Sequence, residues 1–216
     1  ATEWKLDKVQ LGLLDSAFST SATLCQFPLG IAADATGVRL VLTGLIVLWC
    51  LGLGMHAWAP SPKYLWYARV TMGIGQSAVY ATLSRMAQSW FPPSIRTTLQ
   101  GLAGITSGRL GGLCANVLFA TVLLGILRLD WRTAIYVFTI GGMLFAPLFF
   151  FLFRNSPREH PWVNSAEAAL TLGQAKPDAS PRMSVGQMIA GMRPRAVLNL
   201  IILNIQSILS TLADNV

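Results

Sequence analysis

Charge is what this sequence has least of. Asp, Glu, Lys and Arg make up 12% of its 216 residues, where a soluble domain carries about 25%. Half the usual charge cannot cover a water-facing surface, which excludes an ordinary soluble fold. Cysteine is scarce as well. Cys25, Cys50 and Cys114 each fall inside an apolar run, with no CxxC and no histidine pair nearby. That excludes a disulfide framework or metal site and reads them as small buried residues. Only two histidines occur, His56 and His160. The first lies near the end of an apolar run and the second in a polar stretch. A hydrolase working inside a membrane needs a Ser or Asp nucleophile with a mid-membrane His or second Asp, so an enzyme is not expected. No GxxxxGK[ST] stretch is present, so no ATP-driven cycle or other cofactor is expected. The opening "ATEWKLDKVQ" is polar and lacks a signal-peptide pattern.

What is present is apolar sequence: 53% hydrophobic residues and a mean hydropathy of +0.54. Six runs approach the roughly 17–25 residues that span a bilayer. They cover about residues 11–33, 40–59, 64–88, 98–127, 133–153 and 196–212. Helices are expected for all six, because a helix satisfies its own backbone in lipid. The fold class is therefore an all-α integral membrane bundle. Most connections are short. The exception is the polar, proline-rich stretch 154–195, which reads as a linker with one short amphipathic helix over 185–192. The expected organisation is an extracytoplasmic segment 1–10, a five-helix bundle 11–153, the linker 154–195, and a further helix within 196–216.

The net charge of +7 does not point to nucleic acid. The cations sit at the ends of apolar runs, where they set topology and meet lipid headgroups. One side holds Arg39, Arg96, Arg154, Arg158, Lys176, Arg182, Arg193 and Arg195; the other holds Lys5, Lys8, Lys63, Arg128 and Arg132. The positive-inside rule puts the linker in the cytoplasm. The N-terminus then lies outside, which suggests a preceding helix. The chain is expected to be a piece of a longer protein.

The gap "GIAADATGVR", residues 30–39, places Asp34, Thr36 and Arg39 between two apolar runs, with Gly30 and Gly37 beside them. Spelled G-x-A-A-D-x-x-G-x-R, it resembles the signature loop between helices 2 and 3 of the major facilitator superfamily. "RVTMGIGQSAVYATLSRMAQSWFPPSIRTTLQG", "DWRTAIYVF" and "RNSPREHPW" follow in fitting order and resemble its anion:cation symporter branch. The resemblance implies two six-helix halves joined by a cytoplasmic linker, with this chain covering helices 2–7. It also implies transport of sugar acids or other organic anions across a bacterial inner membrane, coupled to protons or sodium. Two departures stand out. Ala35 and Val38 replace the basic residues common in the signature loop. Gln76 occupies the position, seven residues after the helix-4 arginine, where the branch often has a proton-coupling glutamate. An amide does not titrate, though it can hydrogen-bond a substrate. A transport-inactive sensor of the same fold is the alternative.

Intramembrane charges are costly and point to function. Arg69 and Gln76 are two turns apart on one helix face, with Gly73 between them and Tyr80 a turn beyond. The set offers a cation, an amide and a phenol to one cavity wall, and a guanidinium suits a carboxylate by bidentate bonding. The alternative for Arg69 is snorkelling to the interface. Arg109 lies ~16 Å into its helix, near mid-bilayer, and Asn116 shares its face; bonding to neighbouring carbonyls is the alternative there. Arg85 is expected to anchor the cytoplasmic end of its helix. Asp34 ends a helix, where the dipole disfavours an anion, so it needs a partner, and Arg39 is a candidate. The resemblance implies a gating role for Gly30, Asp34, Gly37 and Arg39. Asp15 and Asp214 are interface residues or substitutes for the missing glutamate. Gly104, Gly108 and Gly112, with Gly101 and Gly111 beside them, form a small-residue face expected to pack against a neighbouring helix.

Overall fold

The computed structural model describes residues 6–104, 106 and 110–164. The expected helix over 196–212, Asp214 and the linker beyond residue 164 lie outside the described residues. Within them every regular element is a helix: α1 (Lys8–Thr36), α2 (Val38–Trp58), α3 (Pro62–Gln76), α4 (Val79–Trp90), α5 (Pro93–Gly104), α6 (Gly111–Asn116), a π-helix (Val117–Ile126), α7 (Trp131–Leu152) and a short 3-10 turn (Pro157–Glu159).

The starts and stops follow local chemistry. Asp7 caps α1 in a reciprocal box, its backbone N–H donating to Gln10 Oε1 at 3.1 Å. Pro62 occupies the first turn of α3, where its missing N–H leaves no bond unmade. Pro92 forces Phe91 into extended backbone, which ends α4. Arg96 then covers exposed carbonyls there, donating to Phe91 O and Gln88 O, both at 2.8 Å. Asp130 caps α7 by accepting from Arg132 N–H at 3.1 Å. Hydroxyls within the helices bond back to their own turns: Thr43 to Arg39 O, Thr139 to Ile135 O. Each of these two hydroxyls thus finds its acceptor inside its own helix.

The gap at residues 30–39 is almost entirely helical, which corrects its reading as a loop. Gly30 and Asp34 lie in the last turns of α1, and Arg39 in the first turn of α2. Gly37 alone separates the helices, with φ of 99°, a conformation that strongly favours glycine. The expected third pass is also split. Ser77 donates both its N–H and its hydroxyl to Ile74 O, at 3.2 and 2.8 Å. These tighter bonds break the helix between Gln76 and Val79. The fourth pass divides into α5, α6 and the π-helix. Leu127 N–H reaches back five residues to Val122 O at the end of the π-helix.

α2 is the central element, packed on α3 at one side and α7 at the other, with α1 against α3. Glycines set these approaches. A Cβ at Gly73 would collide with Ser21 Oγ and Phe18 O of α1. One at Gly75 would meet Trp49 N of α2 at 2.6 Å, and one at Gly52 would meet Met72 of α3 at 2.7 Å. Two glycines two residues apart thus let α3 wedge between α1 and α2. The seam expected at Gly101, Gly104 and Gly112 does not form among the described residues, where nothing lies within 4 Å of a Cβ at any of the three. Gly111 meets only Thr106 O, at 3.6 Å, and Gly108 is outside the described residues. α2 and α7, of 21 and 22 residues, are long and apolar enough to cross a membrane by length and composition.

Candidate functional site

Two clusters of chemistry-bearing residues emerge, at opposite ends of the α1–α3 pair. The first centres on Arg69, in the second turn of α3. Its Nη2 lies 3.8 Å from Asp15 Oδ1, in the second turn of α1. The side chains are 37% and 52% exposed, and 3.8 Å exceeds the length of a charge-assisted hydrogen bond. This is a loose pair, worth about 0–1 kcal/mol to stability where water reaches it. It gives Arg69 a carboxylate partner on a neighbouring helix. His56 lies in the last turn of α2. Its Nδ1 is 2.8 Å from Gly52 O in its own helix.

Gln76 is the last residue of α3 and is half-buried. Among the described residues its amide has no hydrogen-bonding partner. Tyr80 lies beyond the break, on α4, and is 67% exposed. The expected stripe therefore holds on one continuous helix from Arg69 to Gln76, and Tyr80 reaches it only across the turn at Ser77 and Ala78. Asn116 is exposed at the end of α6. That helix runs straight into the π-helix, and Asn116 is not brought to Arg69 among the described residues. Arg109 lies outside the described residues.

The second cluster gathers around the α1–α2 junction. Arg39 N–H donates to Asn155 Oδ1 at 2.9 Å, and its Nε donates to Phe150 O at 2.6 Å. Its guanidinium carbon stands 4.0 Å from the centroid of the Phe150 ring, a cation–π distance. Asn155 also fills the space where Gly37 has no side chain. Trp90 Nε1 donates to Arg154 O at 3.1 Å, and the Trp90 ring meets Phe153 and His160. Arg154 turns back on the end of α7, bonding Phe151 O at 2.7 Å and Phe153 O at 3.0 Å. The junction is thus clamped to the end of α7.

Arg39 is not the partner of Asp34. That role falls to Arg85 of α4, whose Nε is 3.6 Å from Asp34 Oδ1. The carboxylate at the end of α1 has the compensating cation its position calls for. Sequence reasoning assigned Arg85 to anchoring the helix end and missed this pairing. Its signal was the facing placement of two lone charges near the same end of neighbouring passes. At Gly30 a Cβ would stand 3.7 Å from Ala81 of α4, an ordinary contact, so the approach of α1 and α4 there does not depend on the glycine.

The profile of the Major Facilitator Superfamily matches residues 1–213. The chain is 29% identical over 154 residues to a hexuronate transporter of Bacillus subtilis, covering 71% of this chain and 36% of that protein. It is 30% identical to a D-galactonate transporter of Escherichia coli over 167 residues, 76% of this chain and 37% of the other. A probable sulfoacetate transporter of Cupriavidus necator is also 30% identical, over 165 residues, 76% of this chain and 37% of its own length. The chain spans about a third of the length of these curated relatives.

Proposed function

The chain belongs to the Major Facilitator Superfamily, a family of membrane transporters and not of enzymes, and we propose that it serves secondary transport of a small organic anion. The cargo is a sugar acid or related carboxylate, moved by alternating access across a bacterial cell membrane. Transport is symport with a proton or sodium. The observation that carries this reading is Arg69, a cation on a membrane-family helix held by one loose carboxylate contact. Such a guanidinium can exchange its partner for the carboxylate of a substrate. Gln76, two turns along the same helix, offers an uncommitted amide to the hydroxyls of a sugar acid. Tyr80, Arg109 and Asn116 complete the proposed set. The α1–α2 junction, with Gly30, Asp34, Gly37 and Arg39, is the gating element. Residues 154–195 are the cytoplasmic linker between the halves. The relatives named for hexuronate, D-galactonate and sulfoacetate support the anionic cargo.

The test is uptake by the full-length protein in proteoliposomes, over a panel of sugar acids and aromatic carboxylates, with and without proton and sodium gradients. Gradient-driven accumulation of a sugar acid is the expected result. Tight binding of such an anion without uptake would instead establish the transport-inactive sensor, the reading that Gln76 favours.

A further inference from the structure

Two side-chain amides lie along the α1–α3 pair, and neither has a hydrogen-bonding partner among the described residues. One is Gln76 of α3, already placed with Arg69. The other is Gln26 of α1, to which nothing above gives a role. We infer that Gln26 is a specificity-determining residue: with Gln76 it holds the distal hydroxyls of a sugar acid whose carboxylate sits on Arg69. The inference rests on the transport reading above and narrows its cargo to polyhydroxy acids.

The register of the two helices brings the amides together. Asp15 and Gln26 are about three turns apart on one face of α1, as Arg69 and Gln76 are about two turns apart on one face of α3. Asp15 meets Arg69 at one end of the pair. Further along, Gly73 brings the α3 backbone against Phe18 and Ser21 of α1. Beyond both amides, Ala81 of α4 stands 3.7 Å from the place of a Cβ on Gly30. Gln26 and Gln76 fall between these last two contacts, so their levels agree to within about one turn. Gln26 is exposed and Gln76 half-buried, so a ligand reaches both.

The hydroxyls around them are committed to their own helices. Ser21 donates to Phe18 O and Thr23 to Ser19 O, both at 2.9 Å, and Ser77 donates to Ile74 O at 2.8 Å. The two amides keep their full capacity. An unmet amide is costly in an apolar setting, and a bound polyol removes that cost.

The chemistry selects the ligand. Each amide offers two N–H donors and one carbonyl acceptor. A hydroxyl both donates and accepts, so neighbouring hydroxyls of an aldonate satisfy both ends of an amide, where the oxygens of a carboxylate or sulfonate only accept. Length selects as well. Arg69 and Gln76 are separated by about 10 Å along the helix. An extended six-carbon acid spans about 6 Å with carbon–carbon bonds near 1.5 Å, and a hydrogen bond of about 3 Å at each end closes the distance. A two-carbon acid on Arg69 leaves the amides unmet.

The experiment measures binding of D-galactonate and of its 5,6-dideoxy analogue to the purified full-length protein by titration calorimetry, beside accumulation of D-galactonate and D-glucuronate in proteoliposomes. The wild-type protein should bind D-galactonate about tenfold or more tighter than the dideoxy acid, which leaves polar groups of the site unpaired. In Gln26→Met, a side chain of similar length without the amide, that preference should shrink by about tenfold, because D-galactonate weakens while the dideoxy acid holds. Equal weakening of both acids makes Gln26 a structural residue and overturns the inference. An unchanged preference, with accumulation by the wild-type protein, overturns it and leaves the transport reading standing. If the wild-type protein neither binds nor accumulates either sugar acid, the transport reading falls and the inference with it. Should Gln26→Met fail to fold, the wild-type preference decides: about tenfold supports hydroxyl recognition, and equal affinity for the two acids overturns it.

Discussion

Arg39 sits at the start of α2 and Arg69 at the middle of α3, successive helices of one bundle, and their surroundings could hardly differ more. The Arg39 residue meets a backbone carbonyl, an aromatic face and a side-chain amide. None of these partners titrates or leaves. Arg69 meets one carboxylate at 3.8 Å, and both members of that pair are accessible. A cation surrounded by neutral, permanent partners is fastened to the fold. One balanced by a single loose anion can change partners. Both arginines are costly in an apolar setting, and the chemistry of the partners separates clamp from binding site.

The comparison breaks most directly at its functional side. Arg69→Ala should weaken sugar-acid transport by about 100-fold, the equivalent of roughly 3 kcal/mol for removing one member of a charge pair. Its thermal unfolding in detergent should stay close to that of the parent. A large fall in unfolding temperature would make Arg69 a structural residue like Arg39.

Arg39→Ala should do the reverse. It strips a donor from Phe150 O and the cation from the Phe150 ring, a loss of about 2–3 kcal/mol in stability. Differential scanning fluorimetry would show it, and an unchanged melting point would remove the clamp from the description. Gly37→Ala should cost roughly 1–3 kcal/mol by the same assay, since its φ of 99° strains any L side chain and Asn155 fills the space.

Asp130→Ala removes the cap of α7 and should cost about 1 kcal/mol, with transport retained. The smallest effect belongs to Arg128, which follows the π-helix with φ of 49°. Arg128→Gly relieves that strain and should raise stability by about 0.5–1 kcal/mol. A loss of stability would show that its side chain matters more than its backbone.

The helices around these two arginines were largely legible in the sequence. Apolar runs gave the number of passes within the described residues, though not the breaks that divide the third and the fourth. Asp7, Pro62, Pro92 and Asp130 set helix ends in the structure through capping and proline chemistry that is local by nature. The chemistry of the residues at 30–39 also pointed to the right family. What escaped was whatever depends on one helix meeting another. Arg39 finds Asn155 across 116 positions of sequence, and nothing local to "ATGVRL" signals it. Asp15 was named with Asp214 as an interface residue or a substitute for the missing glutamate, and its contact with Arg69 showed only once α1 and α3 were laid together. The glycine pattern misled for a related reason. Regular spacing in α5 and α6 looked like a seam, while the close approaches fell to Gly52, Gly73 and Gly75, which follow no four-residue period. Spacing reports which residues share a face, and packing decides whether that face is used. The continuous helix through Asp34 was missed because "ADAT" is polar, although Ala-rich sequence of that kind extends a helix readily.

The most direct measurement is D-galactonate and D-glucuronate uptake by the full-length protein in proteoliposomes, comparing wild type with Arg69→Ala and Arg69→Lys. The partner-exchange reading predicts uptake by the wild-type protein, its loss in Arg69→Ala, and partial retention in Arg69→Lys, which keeps the charge without the planar fork. Wild-type uptake left intact by Arg69→Ala would contradict it.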